Sequence, residues 1–78
     1  MKVKYLVRSL RQPNLFLVAN VQLGSRIVPF GFKACAQILY EATEFASKDE
    51  AVTACEEAAK YNNISLYYPT ILEVVVKD

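Results

Sequence analysis

The first residues of the chain alternate between apolar and charged side chains, which predicts a β-strand. Val3, Tyr5 and Val7 lie on one side of an extended backbone, and lysine and arginine residues lie on the other. A two-residue period with β-branched and aromatic side chains is typical of a half-buried strand. We therefore predict a first strand over residues 3–10.

Two further strands follow, each after a turn signal. Residues 12–14 favour a connection before a second strand over residues 15–23. The Gly24-Ser25 pair favours a type II′ hairpin turn before a third strand over residues 26–30. Pro29 has no backbone N–H, so it places the third strand at an edge of the sheet or ends it early. The three strands are predicted to form an antiparallel meander.

The stretch after the third strand is open to two interpretations. Apolar residues at helical spacing favour a short amphipathic helix over residues 33–41. Alternation over residues 38–45 favours a strand instead. We adopt the helix and keep the strand as the alternative.

The second half of the chain contains the clearest helix signal. Ser47 and Glu50 have the spacing of a capping box, which predicts a helix from Ser47 to Tyr61 that ends at two asparagines. Glu56 and Lys60 are predicted to pair on its surface because they are four residues apart. Small and apolar residues form the predicted inner face of this helix: Ala51, Val52, Cys55, Ala58 and Ala59.

The last predicted strand, Ile71–Val76, is apolar on both faces, which favours a central position in the sheet or cover by a partner. Phe16 and Val18 add apolar surface to a second face of the sheet. One helix cannot cover both faces, so we expect a homo-oligomer, most simply a dimer.

The fold expected from these patterns is a single α+β domain over residues 1–78. Its core is a small antiparallel β-sheet made of three N-terminal strands and a C-terminal strand. One main helix covers this sheet, and a second short helix over residues 33–41 is an option.

The composition excludes most catalytic and metal chemistry. The 78 residues include no histidine, two cysteines and two glycines, so a four-ligand zinc site and a glycine-rich phosphate loop are both excluded. Cys35 and Cys55 lie among apolar residues, and we expect both to be reduced core residues of a cytoplasmic protein. We therefore expect no enzyme activity and no cofactor. No apolar run is long enough for a membrane span.

Charge is divided unevenly along the chain. All eight acidic residues lie at or after Glu41, whereas six of the nine basic residues precede it. The simplest interpretation is that the two halves pack together and their charges pair. A sharper interpretation is that carboxylates around the main helix dock on a basic surface of a larger host protein, with two tyrosines as contacts. The residues predicted to bind this partner are Glu41, Glu44, Asp49, Glu50, Glu56, Glu57, Tyr67 and Tyr68.

The basic half of the chain supports nucleic-acid binding as an alternative. Cations on one face of the first strand would contact phosphates, and Phe16 with Val18 would offer bases a stacking platform. This partner is less favoured because neither half has a run of like charges and no known recognition motif is present. The residues of this alternative face are Lys2, Lys4, Arg8 and Arg11.

The segment Ala42–Ala51 reads A-x-x-F-x-S-x-x-E-A. Together with Lys4–Val7 and Pro13–Val18, it resembles the small accessory proteins of bacteriophages and mobile elements. The resemblance covers most of the chain in layout and about ten residues as a motif, which is mainly a capping box with a preceding aromatic residue. It implies a non-enzymatic, cytoplasmic protein that acts by binding, as anti-CRISPR proteins do when they block host defence complexes. It assigns no site residue.

The function expected from the sequence is that of a small non-catalytic protein-binding module, a phage-encoded inhibitor or modulator of a host complex. Two alternatives remain: a nucleic-acid-binding accessory protein and a self-assembling structural protein.

Overall fold

A four-stranded antiparallel sheet and one helix make up the described part of the chain. The computed structural model describes residues 2–35, 41–61, 63 and 67–76. The strand order is β3-β2-β1-β4, so the first three strands form the expected meander and the C-terminal strand pairs with β1. The α+β fold is thereby confirmed. The elements are β1 (Lys2–Ser9), β2 (Leu15–Leu23), β3 (Arg26–Ala34), α1 (Lys48–Ala59) and β4 (Pro69–Val76).

The hairpin between β2 and β3 has the predicted turn. Leu23 pairs with Arg26, which leaves Gly24-Ser25 as a two-residue loop. Gly24 has a φ of 62°, whereas Ser25 is not among the residues with positive φ. A positive φ at the first loop position alone fits a type II′ turn, which glycine adopts without steric cost.

The strand β3 lies at an edge of the sheet, as Pro29 predicted, but it does not end there. It continues to Ala34, and the pairing with β2 is continuous except between Asn20 and Pro29. Proline cannot donate a hydrogen bond to the facing strand, which accounts for the missing pair. Asn20 has a φ of 55° at this point, a conformation that asparagine tolerates better than most residues. The proline therefore interrupts the ladder locally and leaves its register unchanged.

The stretch of residues 33–45 differs in part from both interpretations. The predicted helix over residues 33–41 is wrong at its start, because Lys33 and Ala34 belong to β3, whereas Glu41 at its end has helical conformation. Among the described residues, α1 is the one helix longer than a single residue. Residues 36–40 lie outside the described part. In the predicted strand over 38–45, Phe45 alone pairs among the described residues, through an isolated bridge to Tyr5.

Both faces of the sheet carry buried apolar residues. Side chains alternate between the faces of a strand, so adjacent residues of β1 and of β2 contribute to different clusters. The helix-side cluster consists of Val7, Leu17, Phe45, Ala51, Ala54 and Ala58. The opposite cluster consists of Leu6, Phe16, Cys35 and Ala42.

The inner face of α1 is made of alanines, which lets the helix lie close to the sheet. Ala51, Ala54 and Ala58 are fully buried or nearly so, and Cys55 is half-buried. The predicted inner face is wrong at two positions, because Val52 and Ala59 are exposed. The observed spacing of the buried alanines, three and then four residues, follows the 3.6-residue turn more closely than the predicted set. The helix also ends earlier than predicted, at Ala59 rather than Tyr61.

The segment between Ala42 and Phe45 passes through the sheet from one face to the other. Ala42 packs in the opposite cluster, and Phe45 packs in the helix-side cluster. The strands β1 and β2 share one residue pair in the described part, Arg8 with Phe16, and the segment occupies the space between them beyond that pair. Backbone hydrogen bonds then join Phe45 to Tyr5 in both directions, at 2.8 and 2.9 Å.

Thr43 attaches the same segment to β2. Its hydroxyl accepts a hydrogen bond from the backbone N–H of Ala19 at 2.8 Å. Its own N–H donates to the carbonyl of Leu17 at 3.3 Å. These bonds satisfy backbone groups of β2 on the side facing β1, and buried groups of this kind are costly when they are left unpaired.

The strand β4 lies at the edge of the sheet, so the prediction of a central position is wrong. It pairs with β1 along all eight of its residues, from Ser9–Pro69 to Lys2–Val76. Its apolar character on both faces has a different cause. Ile71 packs against the helix-side cluster, whereas Leu72 and Val74 pack against the opposite one.

The Ser47 cap of α1 is confirmed, although Glu50 reaches back to the N–H of Ala46 rather than to that of Ser47, and the cap carries a stability prediction. The Ser47 hydroxyl accepts the N–H of Glu50 at 3.2 Å, and the Glu50 carboxylate accepts the N–H of Ala46 at 3.0 Å. We expect Ser47→Ala to lower the free energy of unfolding by about 1 kcal/mol through loss of the cap. Urea denaturation measures this loss. The control is Glu50→Gln, which keeps an acceptor and is expected to cost only a few tenths of a kcal/mol. A Ser47→Ala loss as small as that of the control would contradict the prediction.

Candidate protein-binding surfaces

Several of the predicted acidic residues already have partners within the chain, Glu44, Glu50 and Glu57 among them. The Glu44 carboxylate lies 2.8 Å from the Lys4 ammonium group, and Glu57 lies 3.0 Å from Lys60. Glu50 is held by the backbone of Ala46. The predicted pairing of Glu56 with Lys60 is wrong, because Lys60 bonds the carboxylate three residues away instead of the one four residues away. This pairing raises the pKa of the exposed Lys60 ammonium group.

Two carboxylates remain on the outward side of α1. Asp49, Val52 and Glu56 are exposed and stand at positions i, i+3 and i+7, so they share one face of the helix. Neither carboxylate forms an ion pair with a residue in the described part of the chain. At a rise of about 1.5 Å per residue, the two lie about 10 Å apart along the helix axis. We call Asp49, Val52 and Glu56 the outer stripe.

The valine in the middle of the outer stripe distinguishes it from an ordinary charged helix exterior. Val52 is 43% exposed, although the sequence predicts that it belongs to the inner face of the helix and packs on the sheet. An apolar side chain between two carboxylates can contact an apolar surface while the carboxylates contact cations. Interfaces commonly combine an apolar centre with a polar rim in this way.

The two tyrosines predicted to bind a partner have different environments. The Tyr67 ring lies 5.1 Å from the Phe32 ring, and the Tyr67 carbonyl accepts a hydrogen bond from the Ser9 hydroxyl at 2.6 Å. Tyr67 is therefore half-buried against the end of the sheet. Tyr68 is 61% exposed, has a φ of 49° and accepts the N–H of Leu10 at 3.0 Å. Of the two, Tyr68 is the one available to a partner.

The structure does not bring Tyr68 onto the same surface as the start of α1. Tyr68 is bonded to the chain just after β1 ends. Glu50, by contrast, lines a shallow groove with Lys2 and Lys4, where β1 begins. The eight residues of β1 separate the two places, which is about 25 Å at the usual rise of a strand. Asp49 and Glu50 cannot therefore share a compact contact area with Tyr68.

Ser9 is a structural residue that the sequence reasoning missed. It is fully buried, donates to the Tyr67 carbonyl and accepts the N–H of Gln12 at 3.0 Å. It thus holds the turn after β1 against the segment that leads into β4. A signal was available, because Ser9 continues the alternation of Val3, Tyr5 and Val7 into a buried position, where a hydroxyl needs partners.

The alternative nucleic-acid face lacks its predicted stacking platform. Phe16 is only 1% exposed, because it packs with Cys35 and Ala42 on that side of the sheet. Lys4 is paired with Glu44, so one predicted phosphate contact is partly neutralised. The remaining cations of the face, Lys2, Arg8 and Arg11, lie around a covered surface rather than beside open aromatic rings.

The chemistry of the two thiols fits a structural role. Both cysteines are free, and they pack against different clusters on opposite faces of the sheet. Burial raises the pKa of the Cys35 thiol, and the nearby Glu41 carboxylate adds to the rise. Burial likewise raises the pKa of the Cys55 thiol, with a further contribution from Glu56. Both therefore stay protonated at neutral pH, whereas the thiolate is the reactive form.

Within the described ranges, no group of three or more histidine, cysteine, aspartate and glutamate residues could hold a metal ion. No helix in that part of the chain is long and apolar enough to cross a membrane. Comparisons with protein-family models, curated proteins and solved structures found no match to this chain.

Proposed function

We propose that the protein is a non-catalytic protein-binding module that docks the outer stripe of α1 on a basic surface of a larger protein. The observation that carries this proposal is the exposure of Val52 between two carboxylates that have no ion pair with a described residue. The carboxylates of Glu44, Glu50 and Glu57 contribute less, since they are held by lysines or by the backbone.

The stripe is well placed for docking because α1 is fixed beneath it. Three buried alanines seat the helix on the sheet, and the capping box holds its first turn. A preformed surface loses little conformational entropy on binding. Complementary charge would mainly raise the association rate and set the orientation of the complex. A host complex as the target is the role that the resemblance to phage accessory proteins implies.

The test is an affinity pull-down of the tagged protein from host lysate, with quantitative mass spectrometry of the retained proteins. The variant Asp49→Asn with Glu56→Gln neutralises the stripe. The matched control, Glu44→Gln with Glu57→Gln, removes the same amount of charge from carboxylates that face lysines. We expect the stripe variant to retain its main partner at least tenfold less than the control does. The retained fraction should also fall as salt is raised.

Two results would contradict the proposal. The first is equal retention of the partner by the stripe variant and the control. The second is micromolar binding to single-stranded DNA or RNA at physiological salt that a triple variant, Lys2→Ala with Lys4→Ala and Arg8→Ala, abolishes. That second result would favour the nucleic-acid alternative, since phosphate contacts make affinity depend steeply on salt.

A further inference from the structure

The outer edge of β4 presents backbone groups that no described strand pairs with. The N–H and C=O of Tyr5 bond to Phe45, so in β1 they point away from β4. Backbone groups alternate in direction along an antiparallel strand, so the even-numbered residues of β1 face β4. The bond from the Leu10 N–H to the Tyr68 carbonyl agrees with this alternation. The β4 residues whose N–H and C=O point outward are therefore Ile71, Glu73 and Val75.

This edge lacks the features that usually protect an edge strand. Natural edges are commonly shielded by lysine, by proline within the strand, by bulges or by short length. The strand β4 has eight residues in continuous register, and its proline is the first of them. Its one ionisable side chain in the described part is Glu73. Val75 is 55% exposed beside an exposed Val3, so apolar surface continues to the edge.

The edge at β3 differs in these respects. Pro29 and Asn20 interrupt its pairing, and Arg26 and Lys33 place charges along it. The two edges are thus unequal, and β4 is the one suited to pairing with another strand.

We propose that β4 pairs with β4 of a second copy, antiparallel about a two-fold axis perpendicular to the sheet. An antiparallel strand is self-complementary under this symmetry, because each outward N–H meets an outward C=O of the copy. The operation keeps each face of the sheet continuous with the same face of the copy. The result would be a closed dimer with one eight-stranded sheet.

Charge selects the register of this pairing. Centring the axis on Glu73 would place two carboxylates directly opposite each other, which is destabilising. Centring it on Leu72 instead sets Glu73 opposite the partner's Ile71 and keeps residues 69–75 paired. About six hydrogen bonds join the strands in that register, since only the proline lacks an N–H to donate.

The size of the contact sets the expected strength. An eight-residue strand is about 26 Å long, so this edge would bury roughly half of the about 800 Å² that each partner contributes to a standard interface. Such an area fits a reversible dimer rather than a permanent one. We expect a dissociation constant on the order of 10 μM.

Sedimentation velocity of the full chain from 5 to 500 μM tests the proposal. We expect a monomer–dimer equilibrium with no larger species. Glu73→Pro removes an outward N–H and leaves the bonds between β1 and β4 in place, so it should weaken dimerisation at least tenfold. Val75→Lys should act in the same direction by charging the edge. Ile27→Lys, on the exposed surface of β3, is the matched control and should leave the equilibrium unchanged.

Cysteine cross-linking tests the register. Opposite residues that do not exchange hydrogen bonds lie about 4.5 Å apart between Cα atoms, within the range that a disulfide spans. Leu72→Cys should therefore form a covalent dimer under mild oxidation, much faster than Ile27→Cys or the unaltered chain. Faster cross-linking of Glu73→Cys would overturn the register.

A monomer throughout the concentration range, or variants at β4 that dimerise like the unaltered chain, would overturn the proposal. Growth into polymers would overturn the closed dimer and favour self-assembly through both edges. The proposal is independent of partner docking by α1. The stripe variant Asp49→Asn with Glu56→Gln should dimerise normally, so the two proposals can fail separately.

Discussion

Replacing Phe16 with alanine is expected to lower the free energy of unfolding by about 3–5 kcal/mol, the usual cost of truncating a buried phenylalanine. Phe16 is 1% exposed and packs with Leu6, Cys35 and Ala42. A domain of this length has a total stability of about 4–12 kcal/mol, so the loss would remove at least about a quarter of it. Urea denaturation followed by far-UV circular dichroism measures the change.

The matched control for Phe16→Ala is Ile27→Ala. Both residues lie on the same face of the β2–β3 hairpin, but Ile27 is 70% exposed. We expect the control to change stability by less than about 0.5 kcal/mol. If both variants cost equally little, Phe16 would be solvent-exposed in solution. The opposite face would then be open, and the stacking platform of the nucleic-acid alternative would regain its support.

The strands were predictable because their signals are local. In β2 the continuous apolar face, bounded by turn signals at both ends, gives the observed bounds, Leu15–Leu23. In the hairpin, the backbone freedom of Gly24 specifies the turn. The capping box likewise marks the start of α1, since its hydrogen bonds join residues three and four apart. In each case the interactions that fix the element are encoded within a few residues of one another.

The segment that crosses the sheet after β3, residues 42–45, which we call the crossover, was not predictable because the interactions that fix it are distant in sequence. Residues 42–45 have no regular pattern of their own, and their conformation is fixed by Tyr5, Leu17 and Ala19, which are distant in sequence. A chain that passes between two strands contributes side chains to both faces of the sheet, here Ala42 to one cluster and Phe45 to the other, and no local period in the sequence marks this.

The candidate surfaces were predictable in composition but not in geometry. The sequence places six carboxylates near α1, and it cannot show that Lys4 reaches Glu44 or that Lys60 selects Glu57. Both choices depend on side-chain conformations and on which face of the helix meets the sheet. The same limit applies to Val52, whose exposure follows from a rotation of α1 that seats Ala54 instead. The outer stripe could therefore be identified only from the way in which α1 packs on the sheet.

Phe45→Ala is the second substitution with a large expected effect, because it should release the crossover as well as open a cavity. The ring lies 5.9 Å from the Phe30 ring, within the helix-side cluster. We expect a loss of about 3–5 kcal/mol from truncation of the buried ring. Phe45→Leu keeps most of the volume and should cost less than about 1.5 kcal/mol, provided the leucine can repack.

Hydrogen exchange distinguishes release of the crossover from simple loss of packing. The amides of Tyr5 and Phe45 donate to each other's carbonyls, and the Ala19 amide donates to Thr43. At a temperature where the alanine variant stays folded, these three amides should lose protection more than amides in the ladder between β1 and β4, such as that of Leu6. They open by movement of the crossover alone, which is a smaller event than global unfolding. Uniform loss of protection across all these amides would show that the crossover does not move independently, and that Phe45 acts only as a core side chain.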